Sequence, residues 1–133
     1  MYDMIKEEIK NIEDFPDYWV SNKGNFYSTR FSARHNPKCE LYKLKLWDKH
    51  PSGYLNVGMY NKSGVENKTY FRTHRLVWEN FVGPIPEGYV VDHINNDKKD
   101  NRLENLQLLT HKENVLKWHR VDKPKQRKKT KCA

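Results

Sequence analysis

Apolar and polar residues alternate along three segments in the first half of the chain, at residues 43–46, 54–60 and 69–73. This period of two predicts short, half-buried strands. The Asn-Lys-Ser-Gly sequence of residues 61–64 favours a tight turn that pairs the second and third strands antiparallel. A similar turn at residues 21–24 separates two segments rich in aromatic residues and predicts a small hairpin upstream.

Helical spacing of apolar residues occurs twice in the same part of the chain. Ile5, Ile9 and Ile12 share one helical face and predict a short helix over residues 4–12. Residues 74–82 predict a second helix, because a Gly-Pro pair that disfavours further helical turns follows directly.

The last third of the chain predicts a strand, a loop, a strand and a helix in succession. The strands are expected at residues 90–94 and 106–109, with the polar loop between them. Thr110 and Glu113 have the spacing of a capping box, in which the two side chains bond amides at the start of a helix. That helix is therefore predicted over residues 111–119. Together these elements place the chain in the α+β class.

Positive charge lies on both sides of a nearly neutral segment. The length of 133 residues suits one compact domain or two very small lobes. The chain has a net charge of +8. The net charge is −4 over residues 1–20, +7 over 21–86, −1 over 87–119 and +6 over 120–133. A polyanion held at both flanks would present its backbone to the middle, since each neutralised phosphate adds affinity. Solubility is the alternative explanation for the charge.

Several classes of protein are disfavoured by the sequence. No apolar run approaches the roughly 20 residues that span a bilayer, and the N-terminal residues lack an apolar signal-peptide core. An intracellular protein with no membrane partner is therefore expected. Cys39 and Cys132 lack the paired spacing that structural zinc requires, and a disulfide framework is equally disfavoured.

The strongest chemical signal is Asp92-His93, followed by Asn105 twelve residues after the histidine and Asn114 nine residues further on. An imidazole has a pKa of about 6.5 and can accept a proton from water under physiological conditions. Carboxylate and amide oxygens suit Mg²⁺ or Mn²⁺ better than zinc. A calcium loop is a weaker alternative, because the oxygen-rich segment 92–101 lacks the glycine and glutamate of that pattern.

Asp92-His93, Asn105 within Leu-Glu-Asn-Leu and Asn114 within Lys-Glu-Asn together resemble the HNH nuclease motif. The segments HRLV at residues 74–77 and FVG at 81–83 are similar to the HNH branch found in phage and intron-encoded homing endonucleases. This resemblance implies a ββα-metal unit that hydrolyses phosphodiesters with one divalent ion, Mg²⁺ or Mn²⁺. It also implies that His93 is the general base, that Asp92 and Asn114 are the metal ligands, and that Asn105 orients the histidine.

One geometric condition applies to this site. Adjacent residues of a regular strand point to opposite faces, so Asp92 and His93 share a site only where the strand ends, bulges or twists. The Asn-Asn-Asp run at residues 95–97 favours such a departure from strand geometry. His74 matches a position of the family pattern, and we expect it to be a packed or hydrogen-bonded residue rather than a second base.

The expected organisation is a small antiparallel β-rich part followed by the nuclease unit. Residues 1–70 would position DNA, and residues 12–30 within them resemble a module that often precedes this nuclease. Residues 71–119 would form the HNH unit. The basic residues 120–133 lack apolar periodicity, so we expect them to be disordered unless they bind phosphates.

Double-stranded DNA is the expected partner, and no obligatory protein partner is evident from the sequence. The polar face of the predicted sheet would lie against DNA, unless it is an ordinary solvated face. Helix amides near residue 111 also attract anions. The predicted DNA contacts are Lys43, Lys45 and Arg72 on phosphates, Asn56 nearer the bases, and His111 and Lys112 beside the cut.

The sequence therefore predicts a metal-dependent DNA endonuclease of the HNH homing type, which cuts one or both strands. Two alternatives stay open. The first is a DNA-binding protein that keeps the HNH scaffold without cutting. The second is a nonspecific nuclease or one that acts on RNA, for which the basic tail is the supporting feature.

Overall fold

A computed structural model describes residues 6–60 and 68–119 of the chain. These residues form three small antiparallel sheets and two helices. Neither helix in the described ranges is long and apolar enough to cross a membrane. The predicted α+β class is confirmed. The predicted turn at residues 61–64 and the predicted disordered tail at 120–133 lie outside the described residues.

The first sheet contains four strands in the order β1-β2-β3-β4. It includes the predicted hairpin around residues 21–24, which is confirmed. In the turn, the Ser21 hydroxyl accepts hydrogen bonds from the amides of Lys23 and Asn25, and Gly24 has a φ of +87°. The strands are β1 Ile9–Ile12, β2 Phe15–Ser21, β3 Phe26–Ser28 and β4 Tyr42–Lys43.

The prediction of a helix over residues 4–12 is wrong for the part that the structure describes. Residues Ile9–Ile12 form strand β1, which pairs antiparallel with β2. Ile12 is buried, whereas Ile9 is 42% exposed. A helix this short is marginal in water, and pairing with the aromatic strand β2 satisfies the same backbone groups.

The strand predicted at residues 43–46 is shorter than expected. Strand β4 ends at Lys43, although the amide of Leu44 still donates to the carbonyl of Phe26. Leu44 and Leu46 nevertheless pack against the core, and Lys45 is exposed. The alternation was therefore right about the direction of the side chains and wrong about the length of the strand.

The second sheet pairs β5 Asn56–Tyr60 with β6 Lys68–Arg72, so the predicted antiparallel pairing is confirmed. Helix α1 Thr73–Phe81 follows β6 directly, close to the predicted range, and buries Leu76 and Val77. The helix therefore fixes the end of β6 against the core.

The third sheet is a hairpin of β7 Tyr89–His93 and β8 Leu106–Thr110, with a 3-10 turn Leu103–Asn105 before β8. Helix α2 begins directly after β8 and covers residues 111–119. The predicted capping box is confirmed, because the Thr110 amide donates to Glu113 Oε1 at 2.9 Å and the Glu113 amide donates to Thr110 Oγ1 at 3.1 Å. Strand, strand and helix occur in the predicted order.

A buried apolar cluster connects the three sheets with α1. It draws residues from both sides of residue 70, so the β-rich part and the β7–β8 hairpin share one core. Its members are Ile12, Tyr18, Val20, Phe26, Val57, Met59, Leu76, Val77, Val91 and Leu106. A backbone hydrogen bond also connects the two parts, because the Leu103 amide donates to the Asn22 carbonyl at 2.8 Å.

Replacing Gly24 with alanine is expected to lower the free energy of unfolding by about 2–3 kcal/mol, because a positive φ strains an L residue and the added carbon meets packed backbone. A Cβ at Gly24 would lie 3.0 Å from the carbonyl oxygen of Asn101. Gly88 is the matched control, since its φ of +88° is close to the +87° of Gly24 but no atom of the described residues lies within 4 Å of a Cβ there. Urea denaturation of both variants makes the comparison. Equal losses would mean that the contact with Asn101 contributes nothing.

Candidate active site at the end of the β7–β8 hairpin

The β7–β8 hairpin is regular up to its end. Asp92 pairs with Gln107 and His93 pairs with Leu106, without a bulge. Strand β7 stops at His93, and Asn96 has a φ of +66°. The two side chains accordingly point to opposite faces: Asp92 contacts α2, and His93 packs toward α1. The strand ends only after His93, so no bulge or strand end separates the two residues, and their joint use in one site stays a prediction.

Asp92 is half buried and already has two partners. Its Oδ2 accepts a hydrogen bond from Gln107 Nε2 at 2.9 Å and forms an ion pair with Lys117 Nζ at 2.5 Å. The side chain of Asp92 is 13% exposed and that of Lys117 is 19% exposed. Sequence reasoning missed Lys117, which lies 25 residues from Asp92 in the chain.

Asn114 is half buried on α2, three residues before Lys117. Residues three apart lie on the same helical face. Because Lys117 reaches Asp92 from this face, the face also carries Asn114 toward the hairpin. Asp92 therefore lies on the hairpin and Asn114 on the helix that reaches it through Lys117, and their joint role as metal ligands stays a prediction.

These donors fit a hard divalent ion. No group of three or more His, Cys, Asp or Glu side chains suited to a metal occurs within residues 6–60 and 68–119. The available set is instead one carboxylate and one amide oxygen, and Mg²⁺ readily completes such a set with water and phosphate oxygens. The oxygens around Lys117 Nζ also show that a cation is accommodated next to Asp92.

A chain of hydrogen bonds fixes the His93 ring, which is 4% exposed. His93 Nε2 lies 2.7 Å from Asn101 Oδ1, and Asn101 Nδ2 donates to Thr73 Oγ1 at 2.9 Å. The Thr73 hydroxyl in turn donates to the carbonyl of Leu55 at 3.3 Å. Since an amide oxygen only accepts, this orientation of the Asn101 amide, with Nδ2 donating to Thr73, assigns the proton of a neutral His93 ring to Nε2. The lone pair of the neutral ring is therefore on Nδ1. Sequence reasoning missed Asn101 and Thr73.

His74 packs between Tyr54 and His93. Its ring stacks on Tyr54 with centroids 4.9 Å apart, and the His93 centroid lies 4.8 Å away. His74 is 5% exposed, and its Nδ1 has no hydrogen-bond partner among the described residues. Burial, and then the neighbouring charges of His93, Arg72 and Arg75, lower the pKa of His74 to about 3. A neutral, packed ring agrees with the expected structural role.

This depressed pKa predicts a loss of stability in mild acid. The unfolded chain takes up a proton at His74 below about pH 6.5, whereas the folded chain does so only near pH 3. The free energy of unfolding should therefore fall by about 2 kcal/mol between pH 6.5 and pH 4.5. Arg102 holds the pKa of Asp100 at about 2, so that carboxylate contributes below this window.

Urea denaturation across this pH range, with His74→Phe as the comparison, tests the assignment. The phenylalanine variant should lose most of the slope, because its ring cannot take up a proton. An unchanged slope in that variant would assign the acid sensitivity to another group.

Asn105 is buried and holds the loop rather than the His93 ring. Its Nδ2 donates to Asn95 Oδ1 at 3.0 Å and to the Asp100 carbonyl at 2.9 Å, and its Oδ1 accepts from the Asn95 amide at 3.1 Å. The Asn105 carbonyl also accepts from the Ile94 amide. Asn105 therefore anchors the segment that follows His93, and the direct contact with the ring comes from Asn101.

The predicted DNA contacts differ in their surroundings. Lys43 and Lys45 are exposed, and Lys45 lines a groove of about 820 Å³ with Trp47 and Tyr70. Asn56 is 7% exposed and its Nδ2 donates to the Tyr54 carbonyl, which disfavours the predicted contact with a base. His111 and Lys112 are exposed in the first turn of α2.

Arg72 belongs to a cationic cluster close to the two histidines. Its guanidinium lies 4.6 Å from the Tyr54 ring centroid and donates to Ser52 Oγ at 2.9 Å. Lys98 Nζ lies 4.8 Å from the same centroid. Tyr54 therefore links two cations to the ring of His74 and, at 5.9 Å, to that of His93. Lys98 was not among the predicted contacts, because its nearness to Tyr54 depends on the tertiary fold.

Comparison with known proteins agrees with this geometry. Residues 71–116 match the family model described as HNH endonuclease. The structure of the HNH homing endonuclease I-HmuI, reported for DNA binding and cleavage, superposes with a TM-score of 0.68 and 32% identity over 93% of this chain and 67% of that one. The chain belongs to the HNH endonuclease family. The predicted family is thereby confirmed.

Two curated relatives of this HNH protein extend the likeness beyond the hairpin. A putative HNH homing endonuclease of the SPbeta prophage, YosQ of Bacillus subtilis strain 168, is 32% identical over 80% of this chain and 54% of its own length. The DNA endonuclease I-HmuI of Bacillus phage SP01 is 35% identical over 82% of this chain and 54% of its own length. The chain thus spans about half the length of these two relatives.

Proposed function

We propose that the protein is a metal-dependent DNA endonuclease of the HNH homing type. The observation that carries the proposal is the hydrogen-bond chain from Leu55 through Thr73 and Asn101 to His93, which leaves the lone pair of the neutral ring on Nδ1, one residue after Asp92 in the chain. Such a fixed tautomer is what a general base needs, whereas a purely structural histidine needs only its packing.

His93 would take a proton from the attacking water at Nδ1, while Nε2–H stays bonded to Asn101. The resulting imidazolium still donates from Nε2 to the Asn101 amide oxygen, so protonation does not leave the Nε2–H group without an acceptor. Asn105 would hold the segment after His93 and limit its motion during this step.

Asp92 and Asn114 would hold the divalent ion, Mg²⁺ or Mn²⁺. When bound, the ion supplies Lewis-acid stabilisation of the charge that develops on the phosphate and the leaving oxygen. The ion pair between Lys117 of α2 and Asp92 supports this pairing of ligands, since Asn114 lies three residues before Lys117 on the same helix.

The cationic groups around the site support duplex DNA as the substrate. Arg72 and Lys98 would contact phosphates next to the histidines, and Lys43 and Lys45 would contact them further along the β-rich part. His111 and Lys112 would contact a phosphate at the start of α2, where helix amides attract anions. The phage and prophage relatives support action inside an infected bacterial cell.

The proposal is tested by incubating the protein with supercoiled plasmid and Mg²⁺ or Mn²⁺, with a chelator as the control. We expect relaxed or linear DNA that is lost with the chelator, and a denaturing gel separates nicking from double-strand cutting. No cleavage of several plasmids with either metal would favour a non-catalytic DNA-binding scaffold. Equal cleavage of RNA, or cleavage without sequence preference, would favour a nonspecific nuclease.

A further inference from the structure

The ammonium of Lys117 occupies an oxygen-lined position at the end of β7. It contacts Asp92 Oδ2 at 2.5 Å, the carbonyl oxygen of His93 at 2.8 Å and that of Ile94 at 3.3 Å. The first contact is an ion pair with a carboxylate, and the other two use carbonyls of the two residues that follow it. A lysine ammonium has three donors, and each has an oxygen partner here.

The contact is partly shielded from solvent. The side chain of Lys117 is 19% exposed and that of Asp92 is 13% exposed. Charges in such a setting interact more strongly than pairs in open water, and the carboxylate would be destabilised if its cation were removed without replacement. Asp92 is therefore occupied by a cation that the chain itself supplies.

We propose that Lys117 is an internal competitor for the metal site: its ammonium neutralises Asp92 in the metal-free protein and must leave that carboxylate when a divalent ion binds. Both cations draw on the single negative charge of Asp92, and an ion at either carboxylate oxygen would lie close to the ammonium on Oδ2, so their repulsion disfavours the presence of both. Lys117 thus weakens the affinity for the ion and stabilises the protein without it. The inference rests on the proposed role of Asp92 as a metal ligand.

The competition makes two linked predictions for Lys117→Met, which keeps a long unbranched side chain without the charge. The variant should bind Mn²⁺ at least about tenfold more tightly than the wild type, because no ammonium has to be displaced. Without metal its melting temperature should fall by several degrees, and saturating Mn²⁺ should raise it more than in the wild type. Isothermal titration with MnCl₂ and thermal unfolding measure the two effects on the full chain.

Lys99→Met is the matched control, because Lys99 is an exposed lysine in the loop after β7 and its loss changes the net charge equally. A Mn²⁺ affinity of Lys117→Met that is no higher than that of Lys99→Met would overturn the competition. Should the methionine variant fail to fold, as judged by circular dichroism, Lys117→Gln carries the same test.

Asp92→Asn separates the inference from the function on which it rests. If this variant loses Mn²⁺ binding and Lys117→Met gains none, Asp92 is a ligand and only the competition is refuted. If Asp92→Asn binds Mn²⁺ like the wild type, the proposed metal site fails and the competition fails with it. Loss in Asp92→Asn together with a gain in Lys117→Met supports both.

Discussion

Replacing His93 with alanine is expected to lower the rate of plasmid cleavage about a thousandfold, within the range that a positioned general base contributes. The variant lacks the nitrogen that takes the proton from water, while Asp92 and Asn114 are unchanged. Binding of Mn²⁺ and of DNA should therefore be retained. Cleavage is measured with supercoiled plasmid in single-turnover conditions, and metal binding by titration with MnCl₂.

His35→Ala is the control, because His35 is an exposed histidine remote in sequence from the hairpin. It should cut at the rate of the wild type. Circular dichroism checks the fold of His93→Ala, since the lost ring packs against His74. Undiminished cutting by a folded His93→Ala protein would reject the assignment of the base.

Replacing Asn101 with leucine is expected to lower the cleavage rate about a hundredfold. Leucine has nearly the same shape but cannot accept the hydrogen bond of His93 Nε2, so the proton is no longer held on that nitrogen. The free energy of unfolding should also fall by about 1–3 kcal/mol, because Nε2–H and Thr73 Oγ1 lose buried partners. Cleavage and urea denaturation measure the two losses.

Asn36→Leu separates the two losses. Asn36 is also buried, and its side chain bonds the carbonyls of Arg30 and Glu40 in a loop away from the site. The variant should lose comparable stability and still cut at the rate of the wild type. Asn101→Asp adds a second readout, since a carboxylate beside His93 should move the rise of the pH–rate profile to higher pH. Matching cleavage in Asn101→Leu and Asn36→Leu would contradict the role of Asn101 in fixing the tautomer.

Local signals in the sequence predicted the elements well where neighbours along the chain decide the structure. The capping box formed by Thr110 and Glu113 depends on residues three apart, and the β2–β3 turn depends on Ser21 and Gly24. The prediction of a helix over residues 4–12 was wrong because contacts outside that segment decide its structure. Three isoleucines at helical spacing do not outweigh pairing with a strand that lies elsewhere in the fold.

The residues that complete the candidate site could not be predicted in the same way. Lys117 meets Asp92 across 25 residues, and Asn101 meets Thr73 across 28. Neither lysine nor asparagine is unusual at these points of the sequence, since a charged helix and a polar loop were expected there. Motif spacing predicted which side chains are capable of chemistry, whereas tertiary packing decides which nitrogen of His93 is basic.

The close approach of Gly24 to Asn101 limits how the protein can be dissected. A chimera that grafts residues 71–119 onto another scaffold would discard the turn that supports the histidine's partner, together with the Asn22 carbonyl that accepts from Leu103. The shortest transplantable nuclease from this chain should therefore include the upstream aromatic hairpin, and recombination between relatives would be expected to exchange the two pieces together.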